Sequence, residues 1–297
     1  MRVTRCAKEF RERSTRYRRA GLSVGLVPTL GGLHAGHSEL MRRARSECDR
    51  VLVTVYLNPT QFDSPADLAA YRLSEDADLE TCRRALVDLV YVGGSEALLP
   101  EGFQTWVDVE DLTRRLCGAS RQSHFRGVAT VVVQLLHIAK PHRVYFGLKD
   151  FQQARVVERL VRDLFFDVEV GLVPTVREVD GLAFSSRNQR LSPAERAAAP
   201  ALYRALAASR DLLLSGELRV SELASLLNSK LAEDPMIKVD YAEILDARRL
   251  APFVSGRVPD GGGRDGVLIA AAVYLGSTRL IDNVWVKNGS GSRTGDR

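Results

Sequence analysis

Short apolar runs alternate with segments of helical periodicity through the first two thirds of the chain. The apolar runs are rich in β-branched residues and predict strands at 22–27, 51–57, 89–92, 143–146 and 168–173, with another candidate at 106–109. Helical spacing predicts helices over 38–48, 74–86, 128–139 and 151–165. This alternation is typical of βαβ units, so we expect an α/β fold with a Rossmann-like, doubly wound parallel sheet.

The pattern changes after about residue 186. Ser192-Pro193-Ala194-Glu195 combines a capping Ser, a Pro in the first turn and a Glu at the third position, and predicts the start of a long helix. This first helix extends to about residue 214, and a second helix spans about 220–231. Three strands follow, at 239–245, 267–275 and 278–286. We therefore expect a Rossmann-type domain over 1–186, a smaller α+β domain over 187–287 and a disordered tail over 288–297.

Composition narrows the function classes. The 297 residues are 45% hydrophobic and carry a formal charge of only +5, which by itself gives no case for nucleic acid as a partner. No apolar run approaches the ~18 residues of a membrane helix, and no apolar signal region begins the chain, so a cytoplasmic protein without a membrane partner is expected. The four cysteines are scattered, which predicts free thiols and no metal site.

The segment Pro28–His37 is the strongest candidate for chemistry. His34 and His37 follow a predicted strand and precede a predicted helix, with Gly31, Gly32 and Gly36 around them. A helix N-terminus presents N–H groups and partial positive charge, which suit phosphate, and glycines let a backbone approach a ligand closely. Two histidines at this spacing are also found as ordinary surface residues without a function. The preceding strand and the surrounding glycines favour a nucleotide site.

Four more polar clusters each have a plain structural alternative, as turns, helix caps or a loop between domains. These clusters are 58–63, 120–127, 146–153 and 181–188. Of the five clusters together, four are expected to follow strand ends of one sheet, and the fifth follows its last strand. Because the carboxyl ends of parallel strands share one edge, the coincidence predicts an ATP-dependent site.

The motifs P-T-L-G-G-L-H-A-G-H, N-P-T-Q-F-D, S-H-F-R-G-V-A-T-V-V, F-G-L-K-D-F-Q-Q and D-G-L-A-F-S-S-R-N resemble those of the pantoate–β-alanine ligase family, of the nucleotidylyltransferase superfamily. The resemblance runs from Val24 to about Val286. It implies a homodimer with a C-terminal lid domain. It further implies that ATP, with Mg²⁺ on its phosphates, and pantoate give pantoyl adenylate and pyrophosphate. β-Alanine then gives pantothenate and AMP, a step that serves coenzyme A.

The resemblance also implies roles for individual residues. His37, as proton donor, His34, Lys149 and Arg187 would be catalytic. ATP would contact Leu30, Gly31, Gly32, Leu33, His34, Ala35, Gly36, His37, Gly147, Leu148, Lys149, Asp150, Val176, Phe184, Ser185, Ser186 and Arg187. Pantoate would contact Gln61 and Gln153, and β-alanine would contact Gln61. Asn58, Arg121 and His124 are further candidates for the site.

Two positions depart from the family pattern. The family commonly has Met where Leu30 stands, and Glu where Leu148 stands beside Lys149. The second change removes a charge from a nucleotide-contacting loop. It leaves open a related ATP-dependent amide ligase that takes another hydroxy acid or amine. A nucleotide-binding regulator without catalysis is the other alternative, although both histidines, Lys149 and Arg187 are retained.

Overall fold

The chain forms two compact units. The computed structural model describes residues 1–62, 68, 71, 74–94, 97–121, 123–259 and 265–287. The first unit comprises Met1–Thr113 and Gly118–Val176, and the second comprises Arg114–Cys117 and the chain from Arg177 onward. Parts of the predicted clusters at 58–63 and 120–127, and the predicted tail at 288–297, lie outside the described residues.

A six-stranded parallel sheet is the centre of the first unit. Its strands are β1 (Arg2–Thr4), β2 (Val24–Thr29), β3 (Arg50–Tyr56), β4 (Leu89–Gly93), β5 (Arg143–Gly147) and β6 (Glu169–Val173). They lie in the order β1-β4-β3-β2-β5-β6, and every pair is parallel. β2 and β3 are almost completely buried, which explains their continuous apolar sequences, since parallel sheets are covered on both faces.

Helices connect these strands. They are α1 (Ala7–Arg19), α2 (Ala35–Glu47), α3 (Glu75–Arg84), α4 (Cys117–Ser120), α5 (His124–Ala139) and α6 (Phe151–Asp163). Short 3₁₀ turns occupy Pro59–Gln61, Asp111–Thr113 and Leu148–Asp150. The predicted Rossmann-like α/β class is confirmed. Among the described residues, no helix has both the length and the apolarity needed to cross a bilayer.

Two strand predictions differ from the structure. The candidate strand at 106–109 is wrong, because Val107 N donates to Thr130 Oγ1 (2.9 Å) on α5 and not to a neighbouring strand. The three-residue β1, which pairs with β4, was not predicted, since two of its residues are exposed and it has no apolar run. Both differences arise because pairing partners distant in sequence decide whether a short segment is a strand.

The second unit contains three helices and an antiparallel sheet in its described part. The helices are α7 (Pro193–Ala198), α8 (Ala201–Leu214) and α9 (Val220–Ala232). The strands β7 (Ile237–Asp246), β8 (Val267–Leu275) and β9 (Thr278–Val286) lie in that order. The predicted capping box is present, with Ser192 N donating to Glu195 Oε2 (2.8 Å). The single helix expected up to residue 214 is wrong, because Pro200 has no N–H for the carbonyl of Arg196 and separates α7 from α8.

The division between the units falls after Val176 and not at the expected residue 186. Arg177 forms a bridge with Ala183, and its guanidinium contacts the buried carboxylate of Asp282 on β9 (Nη2 to Oδ1, 3.0 Å). These contacts make the hairpin at 177–183 part of the second unit. The segment Arg114–Cys117 joins the same unit through Arg115 and Glu243 of β7 (3.4 Å).

Candidate active site

The strand order of the parallel sheet indicates where a ligand is expected to bind. From β2 the chain adds β3 and β4 on one side, and it returns to add β5 and β6 on the other. β2 and β5 are therefore neighbours at the point where the strand order reverses, paired at Gly25–Arg143 and Leu26–Val144. Ligands of open α/β sheets bind outside the carboxyl ends of strands at such a point. The turn with His34 and His37 follows β2, and the turn with Lys149 follows β5.

The two histidines form the N-terminal cap of α2. His34 is the N-cap residue, and its Nδ1 accepts a hydrogen bond from Gly36 N (3.2 Å). The Nδ1 of His37 accepts from His34 N (3.2 Å), and the centroids of the two rings lie 4.1 Å apart. Because both Nδ1 atoms accept, these contacts assign the proton of each neutral ring to Nε2. Each imidazole is thereby prepared as an Nε2–H donor.

Burial and charge keep both imidazoles neutral. Burial, with a smaller contribution from the positive charge of Lys149, lowers the pKa of His34 to about 4, while Asp150 opposes the shift. The pKa of His37 is held well below its ordinary value by burial, then by His34 and Lys149. Lys149 is thus near enough to act electrostatically on both rings. The structure brings together the residues that the sequence predicted after two different strands.

The predicted use of the helix N-terminus for phosphate needs a correction. Gly31 N donates to Thr29 Oγ1 (3.3 Å), and the next two N–H groups donate to the carboxylate of Asp78. The N–H groups of His34 and Gly36 donate to the ring nitrogens already described. The expectation of available N–H groups is therefore wrong for these five positions.

Asp78, in α3, was missed by the sequence analysis. It lies one turn after the capping Ser74, among other acids, and such a position is typical of a carboxylate that simply favours a helix N-terminus. No local signal distinguished it. Its contact with the glycine turn joins residues 45 and 46 positions apart, which only the fold reveals.

The predicted clusters at 58–63 and 120–127 meet each other. Arg121 Nη2 donates to the carbonyl of Gln61 (2.5 Å), and Arg121 Nη1 lies 3.5 Å from His124 Nε2. Asn58 is fully buried, and its amide accepts from Thr60 and donates to the carbonyl of Gly127 (3.2 Å). Asn58 therefore holds the turn that carries Gln61. The expectation that the 120–127 cluster follows a strand is wrong, since it follows α4.

The cluster after β5 separates two adjacent glutamines. Gln152 is buried, and its Nε2 donates to the carbonyl of Leu112 (2.8 Å), so it has a packing role. Gln153, the predicted ligand residue, is half-buried in the first turn of α6. A Cβ at Gly147 would meet nothing within 4 Å, so protein packing alone does not require glycine there. Lys149 is mostly buried, and its Nζ lies 3.6 Å from Asp150 Oδ1.

The remaining predicted residues belong to both units. Val176 ends the first unit, whereas Phe184 to Arg187 lie in the second. Ser185 caps the 3₁₀ turn Ser186–Arg190 by accepting from Arg187 N (3.2 Å). Asn188 Nδ2 donates to the carbonyl of Ala183 (3.0 Å), which closes the loop. The loop that carries Arg187 is therefore built from its own hydrogen bonds.

Comparison with known proteins decides the family. The model of the pantoate–β-alanine ligase family matches residues 2–285. The chain belongs to this family. Pantothenate synthetase from Moorella thermoacetica is 46% identical over 269 residues, which cover 90% of this chain and 92% of that protein. Pantothenate synthetase from Heliobacterium modesticaldum is 45% identical over 289 residues, covering 97% and 100%. The predicted family and the predicted ligase class are confirmed.

Solved structures agree with pantoate–β-alanine ligase membership. Pantothenate synthetase from Thermus thermophilus matches with a TM-score of 0.87 and 42% identity, covering 96% of this chain and 99% of that one. Pantoate–β-alanine ligase from Francisella tularensis, solved in complex with β,γ-ATP and β-alanine, matches with a TM-score of 0.76 and 30% identity over 96% and 97%.

We expect the ring of His34 to titrate near pH 4 and not near 6.5, because burial and Lys149 disfavour the imidazolium. The unfolded chain binds this proton near pH 6.5, so the His34 contribution to the free energy of unfolding is complete above pH 6.5 and is lost as the pH falls towards 4. An NMR titration of the ring nitrogens measures the midpoint. Lys149→Gln is expected to raise it, and a wild-type midpoint at 6.5 would contradict the assignment.

Proposed function

We propose that this chain condenses (R)-pantoate with β-alanine to pantothenate through a pantoyl-adenylate intermediate, using ATP and releasing AMP and pyrophosphate. The observation that carries the proposal is the set of His34, His37 and Lys149 at the carboxyl ends of β2 and β5. The related ligase with bound ATP and β-alanine supports the choice of substrates. Pantothenate formation would serve the synthesis of coenzyme A.

In the first step, a pantoate carboxylate oxygen attacks the α-phosphorus of ATP. An O–P bond forms, the bond from the α-phosphorus to the bridging oxygen breaks, and pyrophosphate leaves with the electron pair. His37, helped by His34, donates its Nε2 hydrogen bond to the growing negative charge, and Lys149 adds positive charge. Donors held before reaction stabilise such charge most effectively in a buried site, where water does not compete.

Neutral imidazoles suit this step. Protonated rings near the pantoate carboxylate would attract it and weaken its nucleophilicity. With their pKa values below neutrality, both rings offer hydrogen bonds without a full charge. Gln61 and Gln153 follow the same logic in our proposal, because amides bind the pantoate hydroxyls without neutralising its carboxylate.

In the second step, the β-alanine amine attacks the acyl carbon of the adenylate. A C–N bond forms, the C–O bond to AMP breaks with its electron pair staying on the AMP phosphate, and the amine releases a proton to solvent. Gln61 faces β-alanine in this proposal, and its backbone is held by Arg121, which also contacts His124. Holding both substrates in one geometry can supply about 7–11 kcal/mol of the barrier reduction, more than any single contact.

The second unit has a role in the same proposal. Val176 and Phe184 to Arg187 contribute to the nucleotide site, with Arg187 acting on the leaving pyrophosphate. A lid formed by the second unit would exclude water, which otherwise hydrolyses the adenylate. The hydrogen bonds within the Ser185–Asn188 loop support a defined position for the Arg187 backbone within its unit.

Mg²⁺ belongs to the proposal as a partner of the ATP phosphates. This ion prefers phosphate oxygens and water over a cage made only of protein side chains. Within the part of the chain that the structure describes, no group of three or more His, Cys, Asp or Glu side chains could hold a metal ion. When bound to the ATP phosphates, Mg²⁺ would neutralise their charge. A homodimer, which the motif resemblance implies, and a cytoplasmic location complete the proposal.

We expect purified protein with ATP and Mg²⁺ to release pyrophosphate and AMP only when pantoate is present, and to form pantothenate only when β-alanine is added. Coupled pyrophosphate detection and mass spectrometry measure both. Equal turnover without pantoate would contradict the proposal. Turnover with another hydroxy acid or amine alone would favour the related ligase, and ATP binding by calorimetry without any turnover would favour the regulator.

We expect His37→Ala to slow adenylate formation by about 100-fold or more, because one transition-state donor is lost. Single-turnover quench of ATP with pantoate measures this step without β-alanine. His137→Ala, which removes an exposed histidine of the same unit, is the matched control and should leave the rate unchanged. If His37→Ala forms the adenylate at the wild-type rate, His37 is not the proton donor.

We expect Gly127→Ala to raise the KM for pantoate by about 10-fold, since misplacing a positioning residue by about 1 Å can cost up to about 100-fold. A Cβ at Gly127 would lie 1.7 Å from Thr60 Oγ1, so the turn carrying Gln61 must move. Gly94→Ala is the control, because its Cβ would meet nothing within 4 Å. Steady-state kinetics at varied pantoate test both variants. An unchanged KM in Gly127→Ala would refute the role given to Gln61.

A further inference from the structure

The carboxylate of Asp78 spans the glycine turn that precedes the two histidines. Its Oδ2 accepts from Gly32 N (2.9 Å), and its Oδ1 accepts from Leu33 N (2.7 Å). The side chain is 3% exposed, so water does not compete with either bond. Hydrogen bonds from N–H groups to an ionised carboxylate are roughly twice as strong as neutral ones. Asp78 thus takes the place that an external anion would occupy at this turn.

The turn needs such a restraint because of its backbone. Gly31 and Gly32 both have positive φ, at 87° and 64°. Glycine is the residue with the greatest conformational freedom in the unfolded chain, and two in succession leave the turn without intrinsic preference for this shape. Thr29 Oγ1 accepts from Gly31 N, and the Tyr71 hydroxyl donates to the carbonyl of Gly31 (3.0 Å). Asp78 supplies the two remaining restraints before His34 begins the cap of α2.

Asp78 is not explained by helix capping alone. Glu75 and Asp76 also lie in the first turn of α3, where acids favour the helix dipole. Asp76 is exposed, whereas Asp78 is buried against another element of the first unit. Burying a carboxylate is costly unless its partners satisfy it, and here both oxygens accept a backbone N–H from the turn.

We propose that Asp78 is a positioning residue for adenylation, which presets the glycine turn so that His34 and His37 hold their Nε2–H donors ready before the nucleotide arrives. This role rests on the proposed function of the two histidines. Asp78 touches neither substrate nor reacting atoms in this proposal. It acts through the backbone of Gly32 and Leu33 on the position and tautomer of the imidazoles.

The decisive variant is Asp78→Asn, which keeps the size of the side chain but removes its charge and one acceptor oxygen. We expect kcat for pyrophosphate release to fall by about 10-fold to 100-fold, as for misplaced catalytic groups. The KM for pantoate should not change, because Gln61 and Gln153 lie on other elements. In the free protein, the ¹⁵N spectra of His34 and His37 should change from one tautomer to a mixture.

Two controls separate positioning from simple stability. Asp76→Asn changes an exposed acid of the same helix and should match wild type in kcat and in imidazole spectra. Leu79→Ala removes the buried neighbour of Asp78, and it should lower Tm while leaving kcat and the tautomers unchanged below that temperature. Wild-type kcat and spectra in Asp78→Asn would overturn the proposal. Equal losses in Leu79→Ala at matched stability would overturn it as well.

A second variant keeps the test decisive if Asp78→Asn does not fold. Asp78→Glu retains the charge but moves it by one methylene group. We therefore expect kcat to fall and the imidazole spectra to change from one tautomer to a mixture in the same variant. A lower kcat with unchanged imidazole spectra would overturn the positioning role. If the wild-type protein releases no pyrophosphate with pantoate, the proposed function fails, while the spectra of the free variants still decide whether Asp78 positions the rings.

Discussion

The parallel pairing of β2 with β5 is the constraint on which the candidate site depends. β2 also pairs with β3, so it carries a neighbour on each side, and the chain must cross the sheet to add β5. That crossing leaves two loops at adjacent strand ends. One loop brings the histidines, and the other brings the lysine. Because hydrogen bonds of the sheet fix this adjacency, the fold of the first unit itself brings the two loops to neighbouring strand ends.

Desolvation then decides what the adjacent groups can do. An imidazole in water is half protonated near pH 6.5, whereas burial and the charge of Lys149 lower the pKa of His34 to about 4. The cap of α2 further selects the proton position through Gly36 N and His34 N. A neutral donor next to a cation suits a reaction in which one anion must attack while another leaves. The same low-dielectric surroundings require every backbone N–H of the turn to find a partner.

Several polar residues near the site serve its shape and not its chemistry. Asn58 connects the Gln61 turn to α5, and Gln152 holds the segment at Leu112. In the second unit, the ion pair between Arg177 and buried Asp282 anchors the hairpin at 177–183, which leads to the Ser185–Asn188 loop. Some polar side chains of a motif therefore hold the local backbone in place, whereas others are available to bind a ligand. Burial and hydrogen-bond partners make that division, and residue type does not.

The sequence by itself determined the fold class, most helices and strands, the capping box at Ser192 and the clusters after β2, β3 and β5. These features depend on local periodicity and turn chemistry, which are written in neighbouring residues. The break at Pro200 also has a local cause, although the sequence pattern predicted one continuous helix there. Only the tertiary structure decided that Asp78 occupies the glycine turn, that Val107 bonds to α5, and that the histidines are neutral with the proton on Nε2. Those properties depend on burial and on partners far apart in the chain, which no local pattern records.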